Sequence, residues 1–245
     1  QLKGWEITYL EKFSSPAELP AEMNGIKSQQ FRWMKGNAEN ARKLLPTIWR
    51  SNLNFNQKIH ASSHLLSSGV FIFIFIAGVF SVPLLFAIKS LGVNTHFFTI
   101  FIIGLLSMTA IYYVGNVQAE LKKQSYIKMF LKFILLFPIF LALSMGLSLH
   151  NTIAVLQGYI GKKSPFIRTP KFNIQGIKDT FKKQNYLARR VSWTTFMEGF
   201  LSLYFFGGVL GGLYLQNTIF LIFHALLAIG FGTICYYSIR HLSLK

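Results

Sequence analysis

Long apolar runs restrict this chain to membrane folds. Residues 67–88 contain the run VFIFIFIAGVF, and residues 97–117, 193–215 and 217–239 are also predominantly apolar. About 20 consecutive apolar residues give an α-helix the length needed to cross the hydrocarbon core of a bilayer. We therefore predict an α-helical integral membrane protein with four transmembrane helices over these ranges.

Composition and charge agree with this class. The 245 residues are 52% hydrophobic, with a mean hydropathy of +0.41 and a formal net charge of +17. In a membrane protein, an excess of Lys and Arg marks the cytoplasmic loops. The basic residues lie beside apolar spans and not on a separate soluble domain, which argues against nucleic-acid binding. With Cys235 as its one cysteine, the chain has no intrachain disulfide.

The charge pattern predicts the topology. Residues 118–128 and 161–190 are both basic, the second stretch having nine basic residues against one acid, so both are predicted to be cytoplasmic. A single crossing by the apolar residues 129–149 would place them on opposite sides. We therefore predict a re-entrant segment that enters along 129–145, breaks near Gly146 and returns along 150–160, with both chain termini cytoplasmic.

Amphipathic stretches flank the apolar spans and predict helices at the bilayer surface. The first covers residues 20–45, with a possible break at Gly36, and ends at Pro46 because the residue before a proline disfavours the α conformation. The second covers residues 47–62, and the third covers residues 174–191.

The first of these helices contains residues 29–33, QQFRW. Gln29, Arg32 and Trp33 fall at positions i, i+3 and i+4 and therefore share one helix face. A guanidinium suits a phosphate or diphosphate, and an indole ring suits the apolar face of a sugar. From residue types alone, simple anchoring of the helix at the membrane interface is the favoured explanation of the same Trp and Arg.

The QQFRW sequence resembles the Q-Q/R-x-R-W signature of processive, membrane-embedded family 2 glycosyltransferases, such as the cellulose, mannan and glucomannan synthases. Residues 1–5 (QLKGW), 7–10 (ITYL) and 18–20 (ELP) resemble the end of that family's catalytic domain, in the same order. Residues 166–171 (FIRTPK) resemble its F-x-V-T-x-K gating loop, with Arg168 in place of Val.

The resemblance implies a C-terminal portion of an inverting glycosyltransferase that adds sugar from a nucleotide diphosphate sugar to a β-linked polysaccharide. It implies a donor diphosphate site at Gln29, Arg32, Thr169 and Lys171, and an acceptor contact at Trp33. It implies a gating loop that includes Phe166, Arg168, Thr169 and Lys171. The divalent metal (Mg or Mn) and the general base would belong to a catalytic domain preceding Gln1, so this chain would bind no metal and would be inactive alone.

The same resemblance divides the chain into five parts. Residues 1–19 would be the remnant of a GT-A α/β domain, with a strand at 5–10, and residues 20–65 the interface helices that carry QQFRW. Residues 66–160 would hold two transmembrane helices and the re-entrant segment. Residues 161–192 would hold the gating loop and the third interface helix, and 193–245 the last two transmembrane helices and a cytoplasmic tail.

Two other functions fit parts of this pattern. A nonprocessive glycosyltransferase with a lipid acceptor shares the Gln-Arg-Trp signature but needs no polymer channel. A channel or transporter would carry polar residues at mid-depth in its spans, and these spans have almost none. The partners expected under the favoured hypothesis are a nucleotide diphosphate sugar, a glycan acceptor and the lipids of the cytoplasmic membrane.

Overall fold

The structure is a computed structural model that describes residues 4–10, 13, 15, 17–92, 100–120, 125–165 and 190–242. The side chains of 100–102 and 117–120 are outside this description. The regular structure of the described residues consists of α-helices and one short 3₁₀ turn. In chain order these are α1 (Met23–Arg50), α2 (Phe55–Leu66), the turn Ser67–Gly69, α3 (Val70–Leu91), α4 (Ile100–Glu120), α5 (Tyr126–Gly146), α6 (Ser148–Ile160), α7 (Trp193–Tyr214) and α8 (Leu221–Arg240).

Among the described residues, four helical segments are long and apolar enough to cross a membrane, which identifies an α-helical membrane protein. They are Phe55–Leu91, Tyr126–Gly146, Trp193–Tyr214 and Leu221–Arg240. The first joins α2, the 3₁₀ turn and α3 into one 37-residue segment. Helix α4 corresponds to the predicted span 97–117 and has 21 residues.

Helix α1 is longer than the sequence predicted. It begins at Met23, after Glu22, whose carboxylate accepts a hydrogen bond of 2.7 Å from the backbone N–H of Asn24. It continues through Gly36 and Pro46 to Arg50, so the predicted end at Pro46 is wrong. The turn after Pro46 is held by α2, because Lys58 Nζ donates to the Trp49 carbonyl oxygen at 3.1 Å and Ile48 is buried. These contacts offset the hydrogen bond that proline removes from a helix.

The strand predicted at residues 5–10 is absent. The described residues 4–10 form no regular structure and their side chains are exposed. A strand needs a neighbouring strand to pair its backbone groups, and the described part of the chain provides none.

A one-residue interruption at Leu147 separates α5 from α6, next to the predicted position at Gly146. Leu149, just after the break, packs inside the bundle with Val82, Leu201 and Phe205. Helix α6 then runs alongside α1, where Gly158 lies so close that a Cβ there would be 2.6 Å from the Lys35 carbonyl oxygen. Helix α5 is itself one of the candidate spans. The re-entrant path therefore remains a prediction.

The core of the bundle lies between α3, α7 and α8. Phe205 and Phe231 stack at 5.7 Å between ring centroids, beside the buried Leu227. Small residues allow the helices to approach closely, because a Cβ on Gly208 would lie 2.9 Å from Val82. This dense packing fixes the ends of α7 and α8 that lie beside α1.

Candidate functional site

A cavity of about 330 Å³ lies beside the amino-terminal half of α1. One wall is a face of α1, and the others come from α6, the chain after α6 and the start of α7. The lining residues are Asn24, Lys27, Ser28, Phe31, Arg32, His150, Ser164, Pro165, Ser192 and Thr194. All of them except Phe31 and Pro165 have polar side chains. A concave site into which polar groups converge is a candidate for binding a small polar ligand.

The three residues that the sequence singled out on α1 lie in different surroundings. Arg32 lines the cavity, whereas Gln29 and Trp33 do not. Gln29 is half-buried, and the Trp33 side chain is 55% exposed on the next part of the helix surface. The structure therefore brings Arg32 to the cavity and leaves the Trp33 ring accessible beside it.

The cavity also reaches the chain that leads into the second motif. Ser164 and Pro165 line it, and Phe166 follows directly in the sequence. Lys35 Nζ donates a hydrogen bond of 2.7 Å to Ser164 Oγ, which fixes this part of the chain against α1. The predicted gating-loop residues Phe166, Arg168, Thr169 and Lys171, and the third interface helix, are outside the described residues.

Lys27, which lines the cavity, belongs to a buried ion pair. Lys27 Nζ lies 2.8 Å from Glu198 Oε1 on α7, and the two side chains are 5% and 0% exposed. The same ammonium group is 3.3 Å from Thr195 Oγ1 and 3.4 Å from Ser238 Oγ on α8. Ser192 caps α7 and thereby places Thr195 and Glu198 on one face toward Lys27. The pair therefore ties α1 to both of the last two transmembrane helices.

His150 on α6 lines the same cavity as Arg32. Its Nε2–H donates to the Lys27 carbonyl oxygen at 3.0 Å, since a carbonyl can only accept. Burial, and secondarily the charge of Lys27, lower the pKa of His150 to about 4. The ring is therefore neutral at physiological pH, with Nε2 protonated.

Sequence reasoning missed several of these residues. Glu198 stands near the start of an apolar span, a position typical of an interfacial acid, but it is fully buried. A usable signal existed, because Glu198 is the one acidic residue between positions 193 and 240, and an acid inside an apolar span usually has a partner or a function. His150 and Ser164 gave no signal of this kind, because only the tertiary structure brings them to Arg32.

The described residues contain no group of three or more His, Cys, Asp or Glu side chains that could hold a metal ion. His60 and His64 contact only through their rings, at 5.4 Å between centroids. Comparisons with protein-family profiles, with curated proteins and with solved structures found no match to this chain. A function can therefore be proposed only from the geometry of the site and from the sequence motifs.

Proposed function

We propose that this chain is the membrane-embedded part of an inverting glycosyltransferase. In this proposal it works with a preceding catalytic domain that holds a divalent metal, and transfers sugar from a nucleotide diphosphate sugar to a growing β-linked polysaccharide. The product would leave through the transmembrane helices. Arg32, with Thr169 and Lys171, would contact the donor diphosphate, and Trp33 would contact the acceptor.

One observation carries this proposal. The QQFRW helix and the chain entering FIRTPK are about 130 residues apart, yet Arg32 and Ser164–Pro165 line the same cavity. The resemblance requires both motifs to act on one substrate, and a random match of two short motifs would give no reason for this proximity. The 2.7 Å contact between Lys35 and Ser164 supports the same arrangement.

The shape of the Arg32 guanidinium supports its assignment to the donor diphosphate. Lys27 is engaged by Glu198 at 2.8 Å, so much of its charge is already balanced. Arg32 has the planar fork that binds diphosphate oxygens in pairs. Charge grows on the leaving diphosphate in the transition state, and one such contact is typically worth about 10²–10³ in rate. Gln29 lies outside the cavity wall and would act only if the donor extends beyond it.

The test compares Arg32→Ala with Trp33→Ala in the longer protein that carries this chain, reconstituted in vesicles. Arg32→Ala is expected to weaken nucleoside diphosphate binding and to lower polymer synthesis by about 10²–10³. Trp33→Ala is expected to stop polymer extension and to keep nucleotide affinity, because an uncharged ring gives a diphosphate little to bind.

Helix α1 offers matched controls in its last turn. Trp49 and Arg50 are another Trp and Arg on the same helix; both are exposed and lie outside the cavity lining. Trp49→Ala and Arg50→Ala should leave nucleotide affinity and polymer synthesis unchanged. If all four variants keep full activity, the QQFRW residues only anchor the helix at the interface and the proposal fails.

The length of the product separates the two glycosyltransferase hypotheses. A processive enzyme should give long polymers from the start of the reaction, and a lipid-modifying enzyme should give one or a few sugars on an extractable lipid. Size-exclusion analysis of radiolabelled product distinguishes these outcomes.

A further inference from the structure

His150 brings to the cavity beside α1 a ring nitrogen that no hydrogen bond within the described part of the chain occupies. Its other nitrogen is used, because Nε2–H donates to the Lys27 carbonyl oxygen at 3.0 Å. Nδ1 makes no such bond, and it is not sealed from solvent as Nδ1 of His224 is. Since His150 lines the cavity, its Nδ1 is open to a ligand there.

The surroundings of His150 fix both the direction and the protonation of this nitrogen. The bond from Nε2–H to Lys27 determines the tautomer, so Nδ1 carries the lone pair of a neutral imidazole. Phe31, one turn further along α1, holds the ring in an edge contact at 5.4 Å between centroids. Burial, and secondarily the charge of Lys27, lower the pKa of His150 to about 4, which keeps Nδ1 unprotonated at physiological pH. His150 is therefore an acceptor with a fixed direction.

An acceptor in this place does not bind a diphosphate. Ionised phosphate oxygens only accept hydrogen bonds, and Nδ1 of His150 also accepts, so the two repel each other. Arg32 on the same cavity supplies the donors that phosphate oxygens need. The described lining residues include no Asp or Glu, so a ligand group that donates a hydrogen bond meets no carboxylate and has the imidazole nitrogen as its most basic side-chain acceptor. The ligand atom that faces His150 must therefore be a donor.

The other lining residues favour a hydroxyl group as that donor. Hydroxyl side chains are the commonest group among the described lining residues, which include Ser28, Ser164, Ser192 and Thr194. A hydroxyl both donates and accepts, so this wall suits a sugar, whose hydroxyls do the same. A nucleobase needs a flat apolar surface for stacking, but the ring of Phe31 is already in contact with His150, and Trp33 lies outside the lining.

We propose that His150 determines ligand specificity in this cavity, because its Nδ1 accepts a hydrogen bond from a hydroxyl of the bound nucleotide sugar. This inference rests on the proposed function, since it concerns the same site and the same ligand. The hydroxyl belongs either to the ribose or to the transferred sugar, and the chemistry is the same for both. A site that pairs a buried acceptor with a substrate hydroxyl rejects analogues that lack the hydroxyl, because the acceptor is then left unpaired.

Two substitutions separate the two nitrogens of the ring. The side-chain amide of His150→Gln reaches the position of Nε2 and keeps a donor for the Lys27 carbonyl, but it has no acceptor at the position of Nδ1. His150→Asn places its amide oxygen near the position of Nδ1 and keeps the acceptor. His60→Gln is the matched control, because His60 is exposed on α2 and lies outside the cavity lining.

The test measures ligand affinity by titration calorimetry in the longer protein that carries this chain, reconstituted in lipid. The probes are uridine and guanosine diphosphates, uridine diphosphate glucose, guanosine diphosphate mannose, and inorganic pyrophosphate, which has no sugar. We expect His150→Gln to weaken binding of the hydroxyl-bearing ligand about tenfold and to change pyrophosphate affinity less than about twofold. His150→Asn should recover most of this loss, and His60→Gln should change nothing.

The pattern of the loss identifies the hydroxyl. An equal loss for nucleoside diphosphate and nucleotide sugar places it on the ribose. In that case a deoxyribose nucleotide should bind the unmodified protein as weakly as the normal nucleotide binds His150→Gln, and the variant should no longer distinguish the two nucleotides. A loss confined to the nucleotide sugar places the hydroxyl on the transferred sugar.

The inference is wrong if His150→Gln binds every ligand as the unmodified protein does. It is also wrong if pyrophosphate loses as much affinity as the nucleotides, because the substitution then damages the whole cavity. A loss for nucleoside diphosphate that no deoxyribose nucleotide reproduces would make the contact one with the nucleobase and would overturn the inference as well.

Failure of the proposed function gives a different result. It appears as unchanged pyrophosphate affinity in Arg32→Ala, whatever His150→Gln does. If Arg32→Ala weakens pyrophosphate binding and His150→Gln weakens nothing, the proposed function stands and only the assignment of His150 fails. If the unmodified protein binds none of the nucleotides, both fail.

Discussion

Removing one partner of the Lys27–Glu198 pair should destabilise the protein strongly. The two groups are 2.8 Å apart and almost fully buried, and Lys27 Nζ also donates to Thr195 Oγ1 and Ser238 Oγ. Breaking such a pair costs about 3–5 kcal/mol because it leaves an uncompensated buried charge. In a protein of this size that corresponds to a fall in Tm of about 6–20 °C. We expect this for both Glu198→Gln and Lys27→Met.

Replacing both partners should restore most of this loss. Well-packed apolar residues in place of a buried ion pair are often neutral or stabilising, so Lys27→Met with Glu198→Leu should lie close to the unmodified protein. The four proteins form a double-mutant cycle, measured as thermal unfolding in detergent by tryptophan fluorescence. The coupling free energy should be several kcal/mol.

Helix α1 contains a control pair with the same charges. Lys35 and Glu39 are 4.0 Å apart at positions i and i+4; Glu39 is 32% exposed, and the buried Lys35 keeps its 2.7 Å hydrogen bond to Ser164 when Glu39 is changed. Glu39→Gln should change stability by less than about 0.5 kcal/mol. If Glu198→Gln costs no more than Glu39→Gln, or if the double variant is less stable than either single one, the reasoning about the buried pair is wrong.

Three further predictions concern packing, pH and topology. Gly230→Ala should prevent normal assembly of α5 and α8, because the added Cβ would overlap the Ala142 carbonyl oxygen. Gly207→Ala should be tolerated, because no atom lies within 4 Å of the added Cβ. Thermal unfolding of the two variants compares their stabilities. His150 has a pKa of about 4 in the fold and about 6.5 when unfolded. The free energy of unfolding should therefore fall by up to about 3 kcal/mol as the pH drops from 6.5 to 4. His150→Phe should remove this part of the pH dependence of Tm. Cysteines at positions 123 and 171, replacing Lys123 and Lys171, should react with an impermeant reagent from the same side of the membrane, and labelling from opposite sides would exclude the re-entrant path.

Local sequence was sufficient to predict the last two candidate membrane helices and the interruption between α5 and α6. The predicted spans 193–215 and 217–239 match Trp193–Tyr214 and Leu221–Arg240 closely, and the predicted break near Gly146 falls at Leu147. Hydropathy decides these elements because a backbone in hydrocarbon must satisfy its own hydrogen bonds, and a helix does so without distant partners. The assignment of α5 to a re-entrant path came from charge bias, and that remains a prediction.

The end of α1 and the composition of the cavity depended on contacts between residues far apart in the chain. Pro46 favours a helix end locally, but the contact between Trp49 and Lys58 of α2 extends α1 to Arg50. In the sequence, Glu198 has the pattern of an interfacial acid. Only the tertiary structure shows that it pairs with Lys27, which lies 171 residues earlier in the chain. Sequence periodicity reports which residues share a face of one helix, but it does not report which faces of different helices meet. Close packing between helices, as at Gly158 against α1, decides which faces meet. The same packing therefore decides which polar groups line the cavity with Arg32.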